Sequence, residues 1–376
     1  MRSPDAGPDA DDDSKCCRAI NGQCQDRKLV PPESRPIGYD RAMNTSVSAV
    51  ADPLPATFDA GWLDVGHGHR IHYEQSGNPD GIPLVLLHGG PGSGGTPRQR
   101  MYYDASRYRI VQFDQRGCGR SEPNGETAYN HTAALVEDIE RLRTTLGIER
   151  WLVCGGSWGS ALALAYAAAH RGSLSGLILR GMFLTGRADL EWYFGGAGVI
   201  APEAYEQFIA QIPRRWRRRV LTYLDRSLKG TDAEKAARLV AAWVRYESVL
   251  NAADVMPAPP AFIDQVDAAA LWPKYRIQAH FLAQRCFLGE PAMLRAAASL
   301  TGLPVALMHG TRDLICRPSN AWRVHRACAG SRIAWAQGAG HDPYHPHAVA
   351  LVRDAAACFS ADGNFERWPS TAAAPV

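Results

Sequence analysis

A single small hydroxyl sits between glycines at Gly155-Gly156-Ser157-Trp158-Gly159, after the apolar run at 151–154 and before the alanine-rich stretch at 160–170. A G-x-S-x-G pentapeptide between a strand-like and a helix-like segment is the pattern of a strained turn that lifts a serine above a sheet. Glycine is needed at both flanks because the backbone there is crowded. Serine is a poor nucleophile without a base, so the sequence must also supply an imidazole and an acid to orient it. On strand–turn–helix scaffolds the order is serine, acid, histidine. Asp313 ends the apolar run in ALMHGTRD, and His341 follows the next one in IAWAQGAGHDP. The expectation is a triad: Ser157 as nucleophile, His341 as general base and acid, Asp313 fixing the imidazole tautomer.

Acyl transfer also needs two backbone N–H donors for the developing oxyanion. Trp158, the residue after the nucleophile, supplies one. Gly90, in the HGGPGSGG run at 88–95, is the expected second donor. That glycine run lacks the Lys-Ser/Thr of a phosphate loop and the order of a dinucleotide fingerprint. His345, His347 and Asp342 lie near His341, but no further ligand with metal spacing accompanies them, so no metal or other cofactor is expected. Asp342, adjoining the base, reads as a solvated loop acid.

Strands and helices must bring these residues together. Short continuous apolar runs at 83–87, 108–113, 151–154, 174–179, 304–308 and 331–336 suit strands buried on both faces of a mostly parallel sheet. A hairpin is expected at 61–75 around GHGH. Helical patterns lie between them, as at 132–147, where Leu135, Ile139, Leu142 and Leu146 share one face before Gly147. From about 186 to 298 strand signals stop and the chain reads as helical. The expected class is α/β: a sheet core at 56–185 and 299–361, a helical cap at 186–298, a disordered tract at 1–55 and a C-terminal tail at 362–376. Met43, late in the acidic, proline-rich tract, is a candidate start.

The chain has 376 residues, 46% apolar and 21% charged, with a formal net charge of +3. So small an excess gives no general attraction to nucleic acid or to anionic membranes. The short basic run at 213–219 reads as a solvated helix face. No window is apolar enough for a membrane span, and the N-terminus has no apolar signal core. Nine cysteines without CxxC or Cys/His ligand spacing read as free thiols, which suits a cytoplasmic location. Oligomeric state is not legible.

Taken together, HGGPGSG, FDQRGCGRS, LVEDIERLR, GGSWGSALALAYA, RGMFL, WVRYE and GAGHDP resemble the proline iminopeptidases (prolyl aminopeptidases), serine peptidases of the α/β-hydrolase fold. The resemblance spans about 60 to 345. It implies release of N-terminal proline, or another small residue, from short peptides through an acyl-enzyme, without metal. It also implies that Glu247, in WVRYE, binds the substrate's free α-amino group, with Tyr246 where the family usually has tryptophan. The family carries a second acidic residue in a segment like I-E-x-H-Y-F; here the segment reads IQAHFL, with Gln278 at that position. Glutamine accepts a hydrogen bond but brings no charge. An amidase or esterase acting on a small molecule is therefore the alternative. Trp192, Trp216, Trp243 and Trp272 read equally as pocket lining or as cap core.

Overall fold

The structure, a computed structural model, describes residues 54–252 and 266–369. The readings for 1–53, Met43 included, and for 253–265 and 370–376 lie outside the described residues. Eight strands form one sheet in the order β1-β2-β4-β3-β5-β6-β7-β8. They are β1 Thr57–Gly66, β2 His69–Gly77, β3 Ile82–Leu87, β4 Tyr108–Phe113, β5 Trp151–Gly156, β6 Leu174–Arg180, β7 Val305–Gly310 and β8 Arg332–Ala336. The β1–β2 and β2–β4 pairs are antiparallel and the other pairs parallel. Ten α-helices are described: α1 Thr132–Thr145, α2 Trp158–Ala169, α3 Arg187–Tyr193, α4 Pro202–Ala210, α5 Val220–Lys229, α6 Ala233–Asn251, α7 Ala268–Ala283, α8 Glu290–Ala298, α9 Pro318–Ala327 and α10 Pro346–Asp362. None is long and apolar enough to cross a membrane.

The hairpin turns on His67 and Gly68, at φ 53° and 76°. Positive φ at both central residues gives the primed turn whose twist matches its strands. The inner strands β3, β5, β6 and β7 are buried on both faces, which is why they read as unbroken apolar runs. Helix α1 buries Leu135, Ile139 and Leu142 on one side of the sheet; α10 buries Leu351, Val352 and Phe359 on the other. The tail expected from 362 is packed as far as 369. Phe365 and Trp368 are buried, and the Trp368 indole donates to the Leu351 carbonyl at 3.1 Å.

Between β6 and β7 the described residues form helices α3–α8 and short 3-10 turns. The basic run is one of these turns, Arg214–Arg219, with its arginines exposed, not a face of an α-helix. Trp243 is buried among Phe194, Phe208 and Tyr275 and donates to the Tyr193 hydroxyl at 3.0 Å. Trp192 and Trp272 donate to the carbonyls of Leu314 and Leu228. The insertion meets the elbow through Phe281, whose ring packs edge-on against Trp158 at 5.3 Å between centroids.

The β5–α2 turn explains its glycines. A Cβ on Gly155 would come within 2.2 Å of the Gly159 carbonyl oxygen, and one on Gly159 within 2.1 Å of the Leu87 oxygen. Both obstacles are backbone, which cannot swing aside. Gly159→Ala is expected to destabilise the protein by about 3 kcal/mol, the upper range for overpacking. The check is a denaturant titration: the midpoint falls at an unchanged slope, and an unmoved midpoint would mean that α2 can withdraw from β3.

Candidate active site

Ser157 occupies the turn between β5 and α2 at φ 58° and ψ −124°. A non-glycine residue at such φ is strained and needs surrounding structure to hold it. Its N–H donates to the Arg180 carbonyl at 2.9 Å, tying it to the end of β6. Its own carbonyl accepts from the Ser160 N–H at 2.9 Å and the Ser160 hydroxyl at 2.6 Å.

Asp313 and His341 come from the loops after β7 and β8. His341 Nδ1 lies 2.7 Å from Asp313 Oδ2, and both residues are buried. Arg180 holds the histidine loop by donating to the His341 carbonyl at 2.9 Å. A Cβ on Gly181 would stand 3.2 Å from His341 Cε1, so the end of β6 contacts Ser157 on one side and the imidazole on the other. Asp313 Oδ1 accepts from the backbone N–H groups of Ile315 and Cys316 at 2.9 and 2.8 Å. Burial pushes the Asp313 carboxyl up, but His341 and His309 outweigh it and hold it well below the usual carboxylate range. Asp342 accepts from the Tyr344 N–H in its own loop. His345 and His347 are engaged at the start of α10, the latter with the Gln337 carbonyl at 2.7 Å.

His309 is a further member that the sequence does not announce. Its Nδ1 accepts from the Met182 N–H at 3.0 Å, so the proton sits on Nε2. That N–H donates to the Cys316 carbonyl at 2.7 Å and faces Asp313 Oδ2 at 3.3 Å. In the sequence it reads only as the end of an apolar strand.

The glycine loop after β3 lies over Ser157: a Cβ on Gly89 would stand 3.5 Å from the serine Cβ. Gly90 has φ 113°, and a Cβ there would meet the Gly92 nitrogen at 2.7 Å. Gln115 joins this loop to the elbow. Its amide donates to the His88 carbonyl at 3.0 Å and accepts from the Trp158 indole at 2.9 Å, while its backbone N–H donates to His88 Nε2 at 3.0 Å. Gly90 lines a cavity with Ser157, and Trp158 opens the first turn of α2, where N–H groups lack helical partners.

A cavity opens from Ser157 and Gly90 toward Phe183, Leu190, Tyr193 and Gln278. Behind Tyr193 and Gln278 lies Glu247, whose Oε2 accepts from the Tyr193 hydroxyl at 3.2 Å and from Gln278 Nε2 at 3.3 Å. Cys316 also lines the cavity with Ser157. Burial, reinforced by Asp313 and Asp189, pushes that thiol well above its ordinary value, so it stays neutral and a poor nucleophile. The arrangement can perform acyl transfer from a small acyl group whose far end reaches Gln278.

The family model for the alpha/beta hydrolase fold matches residues 82–348. The proline iminopeptidase of Xylella fastidiosa strain Temecula1 is 40% identical over 311 residues, covering 80% of this chain and 96% of the relative. That of Xanthomonas citri is 40% identical over 307 residues, with 80% and 96% covered. The chain belongs to the proline iminopeptidase family of α/β hydrolases. The haloalkane dehalogenase DbeA-M1 loop variant from Bradyrhizobium elkanii superposes with a TM-score of 0.57 at 17% identity, covering 81% of this chain and 98% of that one, and shares the fold alone. Close to Glu247 in this chain stand Gln278 and, one helical turn earlier on α7, Lys274.

Proposed function

We propose that this protein is a serine exopeptidase that releases N-terminal proline, or another small residue, from short peptides. Ser157 Oγ attacks the first peptide carbonyl and passes its proton to His341 Nε2, the nitrogen left over once Nδ1 donates to Asp313. The N–H groups of Gly90 and Trp158 hold the oxyanion. Collapse breaks the C–N bond, and His341 returns the proton to the leaving amine. Water, deprotonated by the same imidazole, then attacks the prolyl ester, freeing proline and Ser157. Gln278, which lines the cavity with Ser157, and Glu247 behind it receive the α-amine.

The observation that carries this reading is the kinship with proline iminopeptidases over nearly their whole length, in a chain that keeps Glu247 behind a cavity opening at Ser157. Gln278 supports a second reading, an amidase or esterase for a small molecule, because part of the charge that would select an amine is missing. A cytoplasmic location fits the six free cysteines among the described residues. The test is turnover of a prolyl anilide beside its N-acetyl form and a simple p-nitrophenyl ester. Cleavage of the free-amine anilide at least about tenfold better than the acetylated one, the scale of one lost charged contact, is expected. Ester hydrolysis with no preference for a free amine would leave only the second reading.

A further inference from the structure

The carboxylate proposed to receive the substrate amine already faces a cation. Lys274 Nζ lies 3.8 Å from Glu247 Oε1, with the two side chains only 10% and 13% exposed. Lys274 and Gln278 are four residues apart on α7 and so share the face turned toward α6. On its other oxygen Glu247 accepts from Tyr193, from Gln278 and from the Tyr275 hydroxyl at 3.4 Å. Burial lowers the lysine pKa while Glu247 opposes that drop. One carboxylate, one ammonium and three neutral donors thus meet away from water.

Gln278 is oriented by the same contact. A carboxylate only accepts, so the glutamine must turn its Nε2 to Glu247. Its Oε1 is then directed elsewhere; it is buried without a protein hydrogen-bond partner, in a residue that lines the cavity with Ser157. A substrate ammonium arriving there meets one neutral acceptor and a carboxylate shared with a lysine. Its entry brings a second cation to the carboxylate that Lys274 already faces, in a poorly screened site.

We propose that Lys274 is a specificity-determining residue, an internal cation that competes with the substrate's α-ammonium for Glu247 and so weakens selection for a free amino terminus. This rests on the assignment of Glu247 as the amine anchor. An acyl group of the same shape without the amine does not meet the competition. The pocket thus discriminates less between prolyl and cyclopentanecarbonyl groups than a site with an unshared carboxylate would.

The experiment measures inhibition of p-nitrophenyl acetate hydrolysis by prolinamide and by cyclopentanecarboxamide, in wild type, Lys274→Met, Lys274→Arg and Gln278→Glu. In Lys274→Met the inhibition constant for prolinamide is expected to fall about tenfold relative to that for cyclopentanecarboxamide. Lys274→Arg keeps the cation and the wild-type ratio. Gln278→Glu adds a second anion without removing the lysine and shifts the ratio the same way, which covers the case in which burying an unpaired Glu247 prevents Lys274→Met from folding. A ratio unmoved in a folded Lys274→Met overturns the proposal, and so does one unmoved in Gln278→Glu. A ratio that moves while no variant cleaves a prolyl anilide would sustain the lysine's role and sink the exopeptidase reading instead.

Discussion

Ser157→Ala is expected to lower kcat for a prolyl anilide by about a million-fold, the loss seen when a serine nucleophile is removed from an intact triad. The substitution removes one oxygen and leaves Gly90, Trp158 and the cavity untouched, so the Michaelis constant should change little. Alanine at φ 58° is no more strained than serine, and the denaturation midpoint should hold. The sensitive point is Cys316, a thiol that lines the same cavity as Ser157. Were it able to substitute, the variant would retain activity that a thiol-alkylating reagent abolishes. Its burial near two carboxylates argues against this, because the thiolate is the reactive species and is disfavoured there. Pre-steady-state release of p-nitrophenol from an ester gives the cleanest reading: a stoichiometric burst in wild type, none in the variant. A burst that survives would remove Ser157 from the chemistry altogether.

The parts of this site that were legible in the sequence share a physical reason. Ser157, Asp313 and His341 each follow an apolar strand and sit near glycines, where a parallel sheet delivers side chains to one edge. The strands themselves are visible for the same reason, since runs buried on both faces are unbroken apolar stretches; their order in the sheet is not. Gly90 stood out because a glycine cluster after a strand needs a backbone reason. Glu247 and Gln278 stand out only through resemblance; on an amphipathic helix each looks like any other polar residue. Lys274 and His309 were not legible. The lysine's partner lies 27 residues earlier on another helix, and only the packing of α7 on α6 makes the pair. His309 sits within β7, and its tautomer is set by the N–H of Met182, a residue 127 positions away. The tryptophans were undecidable for a similar reason: an indole reads alike whether it lines a cavity or, like Trp243, fills the core beside it.

Asp313→Asn is the more informative companion to the serine variant, because the structure says which way the new amide must turn. Asp313 Oδ1 is held by the N–H groups of Ile315 and Cys316. An asparagine carbonyl will take that place, since an NH2 group there would face two donors. Its NH2 then points where Oδ2 now meets His341 Nδ1 at 2.7 Å. Facing a donor, the imidazole moves its proton to Nε2 and can no longer accept one from Ser157. His309 cannot offset this: its own Nε2–H already points at the same position, and its Nδ1 is committed to Met182. The expected result is a fall in kcat of about ten-thousand-fold with the Michaelis constant little changed. A loss smaller than tenfold would mean that Asp313 does not orient the base. Acid unfolding provides a second reading. Because the folded carboxyl lies well below its usual range, Asp313 contributes stability that is fully present above the unfolded value of about 4 and is lost as pH falls through the folded one. The asparagine variant should therefore show a shallower decline in stability below about pH 4 than the wild type. An equally steep decline in the two proteins would place the acid sensitivity in other carboxylates.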